Sequence, residues 1–173
     1  MADVFDKIKR SEVMGLIRGR NNKSTEIRLA AAFKSARVSG WRRQVQLKPW
    51  SVESGLAEGK KIRVLIRPDF IFRAPKVAVF VDGCFWHGCP RHSKMPKTNA
   101  AFWREKLSKN IIRDERANKA LEAAGWTVIR IWEHEMAEPS IVVERVTQVL
   151  AKHMAPLCGT SPHETSPADT ERS

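Results

Sequence analysis

The chain has 173 residues, enough for one compact domain with a real core, and no internal repeat divides it. With 31 Lys and Arg against 19 Asp and Glu, its net charge is +12 and its pI is near 10.1, which points to a polyanionic partner and away from the near-neutral balance of a typical cytosolic enzyme. The charged N-terminus lacks an apolar signal core, no run approaches the roughly 18 apolar residues of a membrane span, and the basic stretches lack a bulky apolar face. A protein of the bacterial-type cytosol, associated with the nucleoid and without a membrane partner, is expected.

In chain order, residues 1–22 form a basic arm, RSEVMGLIRGRNN, read as a short helix and a Gly/Asn loop. In TEIRLAAAFKSA the apolar residues Ile27, Leu29, Ala31, Ala32, Phe33 and Ala36 are spaced as on a helix that ends before Gly40. RRQVQLKPW alternates like a strand, SVESGLAEGKK supplies a turn and IRVLI resumes the alternation, predicting a hairpin from Gln44 to Ile66. After the Arg67-Pro68 turn, DFIF and VAVFV read as two strands at the sheet centre, the second apolar enough to be buried on both faces. Asn99 is the predicted N-cap of a long helix, AAFWREKLSKNIIRDERANKALEAA, which Gly125 stops. WTVIRIW is a further strand. Pro139 opens a last helix with Ile141, Val142, Val146, Val149 and Leu150 on one side. The Pro/Ser/Thr-rich segment 155–173 reads as a disordered tail. Residues 23–154 are therefore expected to form one α/β domain, a small mixed sheet with helices on both faces.

The densest chemistry lies in VFVDGCFWHGCPRH, residues 79–92. Cys84-x4-Cys89-x2-His92 places three zinc-type ligands close enough to wrap one tetrahedral ion, and cysteines in a reducing compartment favour metal over disulfide. The fourth ligand is His134, at the end of a sheet strand, or its rival His153 on the last helix. With the site filled by either, His87 is left free for proton transfer on a stiffened loop. Asp69, opening one core strand, faces the end of its hairpin partner at Asp82, a shared edge where Mg²⁺ could take oxygen ligands. On the long helix Lys106, Asn110 and Asp114 recur every four residues and share one face, with Trp103 just above.

Pro-Asp before paired strands is the layout of the PD-(D/E)xK nucleases, although Val79-Phe80-Val81 stands where that pattern has E-x-K, so only a divergent member fits. GCFWHGCP, preceded by the PDF strand and the RSEVMGLIRGRNNKSTE segment and followed by PKTNAAFWREKLSKNIIRD and GWTVIRIWEHE, resembles the very-short-patch repair (Vsr-like) endonucleases over residues 8–150. The resemblance implies a restriction-endonuclease-like three-layer fold, a central mixed sheet flanked by helices, with a structural Zn²⁺ site. It also implies a Mg²⁺-dependent enzyme that nicks one strand of double-stranded DNA at a T·G mismatch, leaving a 3′-hydroxyl and a 5′-phosphate.

Carried over by position, Asp69 is the metal-binding aspartate, the backbone carbonyl of Val81 a second Mg²⁺ contact and His87 the catalytic histidine. Asp114 and Glu26 are supporting acids. Asp82 falls where some relatives have a second histidine, and is expected to add a metal ligand or hold water. In the zinc set Cys89 and His92 stand where a His and a Cys are usual, and His134 replaces a cysteine, which keeps two sulfurs and two nitrogens. Phe85, Trp86 and Trp103 are expected to wedge between base pairs, while the arm with Arg18, Arg20 and Lys23 closes over the duplex. A monomer is expected. The competing expectations are a nuclease of this fold in a restriction or defence system without mismatch preference, and a zinc-stabilised DNA-binding module without catalysis.

Overall fold

A computed structural model describes residues 25–52 and 61–154. Helix α1 spans Glu26–Ser35 and strand β1 Trp41–Arg43, followed by β2 Trp50–Val52, β3 Lys61–Arg63, β4 Phe70–Phe72 and β5 Val77–Asp82. Helix α2 then spans Ala100–Ala123, β6 Thr127–Trp132, a 3₁₀ turn Glu133–Ala137, and α3 Pro139–Met154. The expected arm, with Arg18, Arg20 and Lys23, and the expected tail lie outside the described residues, as does the tip of the hairpin.

β1, β4, β5 and β6 form one sheet in that order. β4 runs antiparallel to β1 and β5, whereas β5 and β6 are parallel, from Val77 opposite Thr127 to Asp82 opposite Trp132. A parallel pair needs a long crossover, which α2 provides. The sheet is thus mixed with β4 and β5 at its centre, as the apolar runs DFIF and VAVFV require.

Alternation along the strands divides the core in two. Phe70, Phe72, Val77, Val79, Ile129 and Ile131 point to one face and pack with Leu29 and Phe33 of α1 and Val142, Val146 and Leu150 of α3. Phe33 stands edge-on to Phe70 with ring centroids 5.4 Å apart, and burying each such ring contributes roughly 1.5–3 kcal/mol relative to exposure. On the opposite face Ala78 packs with Ile66, Ala120 and Leu121, flanked by Phe80, Ala117 and Val128. Helices therefore cover both faces of the sheet. The same alternation sends Asp82 and Arg130 to the α2 side.

α2 ends where expected. Gly125 takes a left-handed φ of 78°, its N–H bonds the Glu122 carbonyl at 2.9 Å, and the Trp126 N–H bonds the Leu121 carbonyl at 2.9 Å. This closed pair of bonds satisfies the last carbonyls of the helix.

Three local expectations need correction. Asn99 occupies the N-cap position of α2, but with φ 55° and ψ 40° its side chain makes no capping bond, and only its carbonyl is used, accepting the Trp103 N–H. RRQVQLKPW is not one strand: β1 stops at Arg43, Gln44 turns the chain with φ 53°, and a single bridge from Leu47 to Ile66 leads into the separate β2–β3 ribbon. On α3, Ile141 is 58% exposed while Val143 is buried, because the buried stripe runs through Val142, Val143, Val146 and Leu150 and its centre lies roughly 150° around the helix from Ile141. Among the described residues no helix is long and apolar enough to cross a membrane.

Candidate active site and metal centre

The C-terminal end of β5 organises the acids. The Val81 N–H donates to Asp69 Oδ2 at 2.7 Å, which pins the carboxylate that opens β4 against the end of its hairpin partner. Gln44 Nε2 donates to Asp69 Oδ1 and to Glu26 Oε2, each at 3.0 Å, and Arg43 pairs with Glu26 Oε2 at 3.0 Å. The left-handed turn at Gln44 thus has a use: its side chain ties the first turn of α1 to the first residue of the β4 hairpin. Burial, reinforced by the nearby charges of Glu26 and Asp82, raises the Asp69 pKa from 3.8 to about 7. A carboxylate in that condition is suited to a cation, and each of its oxygens keeps one lone pair beyond the hydrogen bond it accepts.

A second cluster lies one residue further along. His87 Nδ1 is 2.6 Å from Asp114 Oδ2 and 3.6 Å from Asp82 Oδ1. Arg130 forks onto Asp82, Nε to Oδ2 at 2.5 Å and Nη2 to Oδ1 at 2.7 Å, and reaches Asp114 Oδ1 at 3.3 Å and Asn118 at 3.1 Å. Burial pushes the Asp114 pKa up, but the His87 bond and the Arg130 charge outweigh it and hold the group below the usual carboxylate range. Asp114 is therefore ionised at neutral pH and accepts the hydrogen of His87 Nδ1.

The loop from Gly83 to Ser93 returns on itself through backbone bonds from His87 to Gly83, Cys89 to Cys84 and Ser93 to Cys89. Gly88 is required there, since it has φ 69° and an added Cβ would meet Ile111 at 3.0 Å. Cys84, Cys89, His92 and His134 bring ligand atoms within 4.8 Å of one another. The separations of Cys84 Sγ and Cys89 Sγ from His134 Nδ1 are 3.2 and 3.7 Å, and Cys89 Sγ lies 3.7 Å from His92 Nδ1. These approach the roughly 3.6 Å sulfur–nitrogen edge of a tetrahedral site, so this set could hold a metal ion. Desolvation and the charges of Arg91 and His92 lower the His134 pKa, favouring the neutral imidazole that ligation needs. His153, the rival fourth ligand, instead bonds Thr127 at 2.8 Å. Arg91 lies 2.8 Å from His134 Nε2, which carries a hydrogen once Nδ1 holds a metal, so this exposed side chain would turn aside on loading.

Phe85, Trp86 and Trp103 form one aromatic group, with centroids 5.1 to 6.0 Å apart and all three rings partly exposed. Phe102, 57% exposed, extends it. Asn110 donates to the Trp86 carbonyl at 3.1 Å, so α2 holds this loop at Asn110 and again at Asp114, while Lys106 on the same face stays exposed. The structure therefore gathers Asp69, Val81, Asp82, His87, Asp114 and, through Gln44, Glu26. Sequence reasoning missed Gln44, Arg130 and Asn118. Only Arg130 leaves a readable signal, a guanidinium inside the otherwise apolar strand TVIRIW, which has to find carboxylates when buried.

A mixed sheet between helical layers, with acids and a histidine gathered at its strand ends, fits the class of restriction-endonuclease-like nucleases. The family model described as DNA mismatch endonuclease Vsr matches residues 55–93. The chain is 34% identical to DNA mismatch endonuclease Vsr of Escherichia coli over 134 residues, covering 77% of this chain and 74% of that protein. It is 32% identical to type II nicking enzyme V.NmeAIP of Neisseria meningitidis over 152 residues, 87% of this chain and 95% of the relative. With type II nicking enzyme V.NaeI of Lentzea aerocolonigenes it shares 50% identity over 78 residues, a match spanning 47% of that protein's length. The chain belongs to the Vsr family of DNA endonucleases.

The raised Asp69 pKa has a consequence for stability. Between 3.8 and about 7 the folded protein keeps a proton that the unfolded chain releases, so this group's contribution to stability falls as pH rises through that window and is constant above it. In thermal unfolding without divalent cations, wild type should lose on the order of 2 kcal/mol relative to Asp69→Asn between pH 4.5 and pH 8. Parallel pH dependences for the two proteins would contradict the assignment.

Proposed function

We propose that the chain nicks one strand of duplex DNA at a mismatch, T·G in the reading that the sequence resemblance supports, hydrolysing the phosphodiester to a 3′-hydroxyl and a 5′-phosphate. The observation that carries this is the 2.6 Å contact of His87 Nδ1 with Asp114, beside the strand end whose Val81 amide holds Asp69. The relatives, a DNA mismatch endonuclease and type II nicking enzymes, support both halves of the reading.

His87 donates its Nδ1 hydrogen to Asp114, which leaves the lone pair on Nε2. That nitrogen takes the proton of the attacking water, and the ionised Asp114 stabilises the imidazolium that results. Asp69 and the Val81 carbonyl would hold Mg²⁺, a role that suits a crowded carboxylate with spare lone pairs. Bound there, the ion would supply charge stabilisation at the scissile phosphate. Glu26 acts through Gln44, orienting Asp69.

The Cys/His set is proposed to hold zinc, whose preference for two thiolates and two imidazoles in a tetrahedron these residues match. Cys84, Cys89, His92 and His134, joined through such an ion, would clamp the base of the loop that bears His87. Phe85, Trp86 and Trp103 enter the stack where a mismatch lowers the cost of unstacking. Lys106 meets phosphate, and Arg18, Arg20 and Lys23 add contacts that carry affinity without sequence choice. The enzyme works as a monomer in the cytosol.

Duplexes containing a T·G mismatch, a matched pair or a methylated site test this directly. The T·G duplex should be nicked on one strand and only with Mg²⁺, and His87→Ala should slow nicking by about 10²–10⁴-fold. Equal nicking of all duplexes would reject the mismatch reading and leave a restriction or defence nuclease. Binding without nicking under any divalent cation would leave a DNA-binding module. For the metal centre, elemental analysis should find one zinc per chain in wild type and its loss in Cys89→Ser, together with a lower melting temperature. An unchanged metal content in that variant would overturn the ligand set.

A further inference from the structure

We propose that Arg130 and Asp82 form a single positioning unit that decides which carboxylate orients His87, an inference that rests on His87 serving as the base. Two acids compete for one ring nitrogen. Asp114 Oδ2 lies 2.6 Å from His87 Nδ1, and Asp82 Oδ1 lies 3.6 Å from the same atom. The nitrogen has only one hydrogen to give, and the two acceptors would hold the ring in different orientations.

Arg130 resolves the competition. Its Nε and Nη2 occupy both oxygens of Asp82, at 2.5 and 2.7 Å, so Asp82 is engaged in a bidentate pair and buried at 3% exposure. Its Nη2 also faces Asp114 Oδ1 at 3.3 Å, which leaves Oδ2 turned to His87. The guanidinium is fixed from two further sides, by Asn118 Oδ1 at 3.1 Å and by the Phe80 ring, whose centroid is 5.0 Å away. With its charge offset by the guanidinium on both oxygens, Asp82 is thereby made a weaker acceptor for His87 than Asp114 Oδ2, and the repulsion between the two acids is reduced. Without Arg130, Asp82 is free to take the Nδ1 hydrogen, and the ring turns so that Nε2 leaves the water.

Steady-state nicking by Arg130→Gln, Arg130→Lys and the double variant Asp82→Asn/Arg130→Gln, measured well below each melting temperature, tests the proposal. Arg130→Gln should lower kcat about 10–100-fold with KM for DNA within about threefold, because binding surfaces are untouched and only alignment is lost. Arg130→Lys should recover part of kcat, since it restores the charge without the fork. The double variant should be faster than Arg130→Gln alone, because the competing acceptor has lost its charge.

A wild-type kcat in Arg130→Gln, or a double variant no faster than the single one, would overturn the proposal while nicking by wild type and its loss in His87→Ala leave the nuclease reading standing. Nicking by His87→Ala at the wild-type rate would instead remove the base assignment and this inference with it.

Discussion

The bond from the Val81 amide to Asp69, 2.7 Å long, is the constraint on which the site depends. Antiparallel pairing of β4 and β5 brings the start of one strand to the end of the other, so an acid at the start of β4 is fixed by the last backbone groups of β5. The next residue, Asp82, turns toward α2 and engages Arg130 on the parallel neighbour. The chain then turns into the loop that carries His87 and three of the four residues that could hold a metal ion, Cys84, Cys89 and His92. One strand end therefore sets the position of a cation-suited carboxylate and of an imidazole at once, using β4 on one side and β6 with α2 on the other.

Electrostatics explain why the arrangement is tolerated. Glu26, Asp69, Asp82 and Asp114 are drawn together in a protein of net charge +12. Three of the four have a guanidinium or imidazole within 4 Å: Arg43 at Glu26, Arg130 at Asp82, and His87 with Arg130 at Asp114. Asp69 has only hydrogen-bond donors for partners, and it is the acid whose pKa rises to about 7. The pairing pattern thus separates the acids by task. Those with cationic partners hold geometry, whereas the one without is suited to an added positive ion.

Much of this frame was legible in the residues. The strands at Phe70–Phe72, Val77–Asp82 and Thr127–Trp132 follow from apolar alternation, and the stop at Gly125 from the need for a left-handed residue. Cys84, Cys89, His92 and His134 were readable because few chemistries use those side chains together. Asp114 and Glu26 came into view only through family resemblance, since an acid on a polar helix face carries no local mark. Gln44 and Arg130 were missed for a different reason. Their roles lie in partners 25 and 48 residues away, and no local period encodes such a pairing. The strand predicted through Gln44 failed for the same cause, because the tertiary bonds of that side chain override the β pattern of its neighbours.

On the proposal above, Asp69 and His87 converge on one divalent-cation site. Titrating Mn²⁺ into zinc-loaded protein while following the histidine ring resonances tests it most directly. His87 should broaden at lower Mn²⁺ than His92, His134 or His153, and Asp69→Asn should abolish this order. A His87 signal that stays sharp while the others broaden, or one that broadens identically in Asp69→Asn, would contradict it.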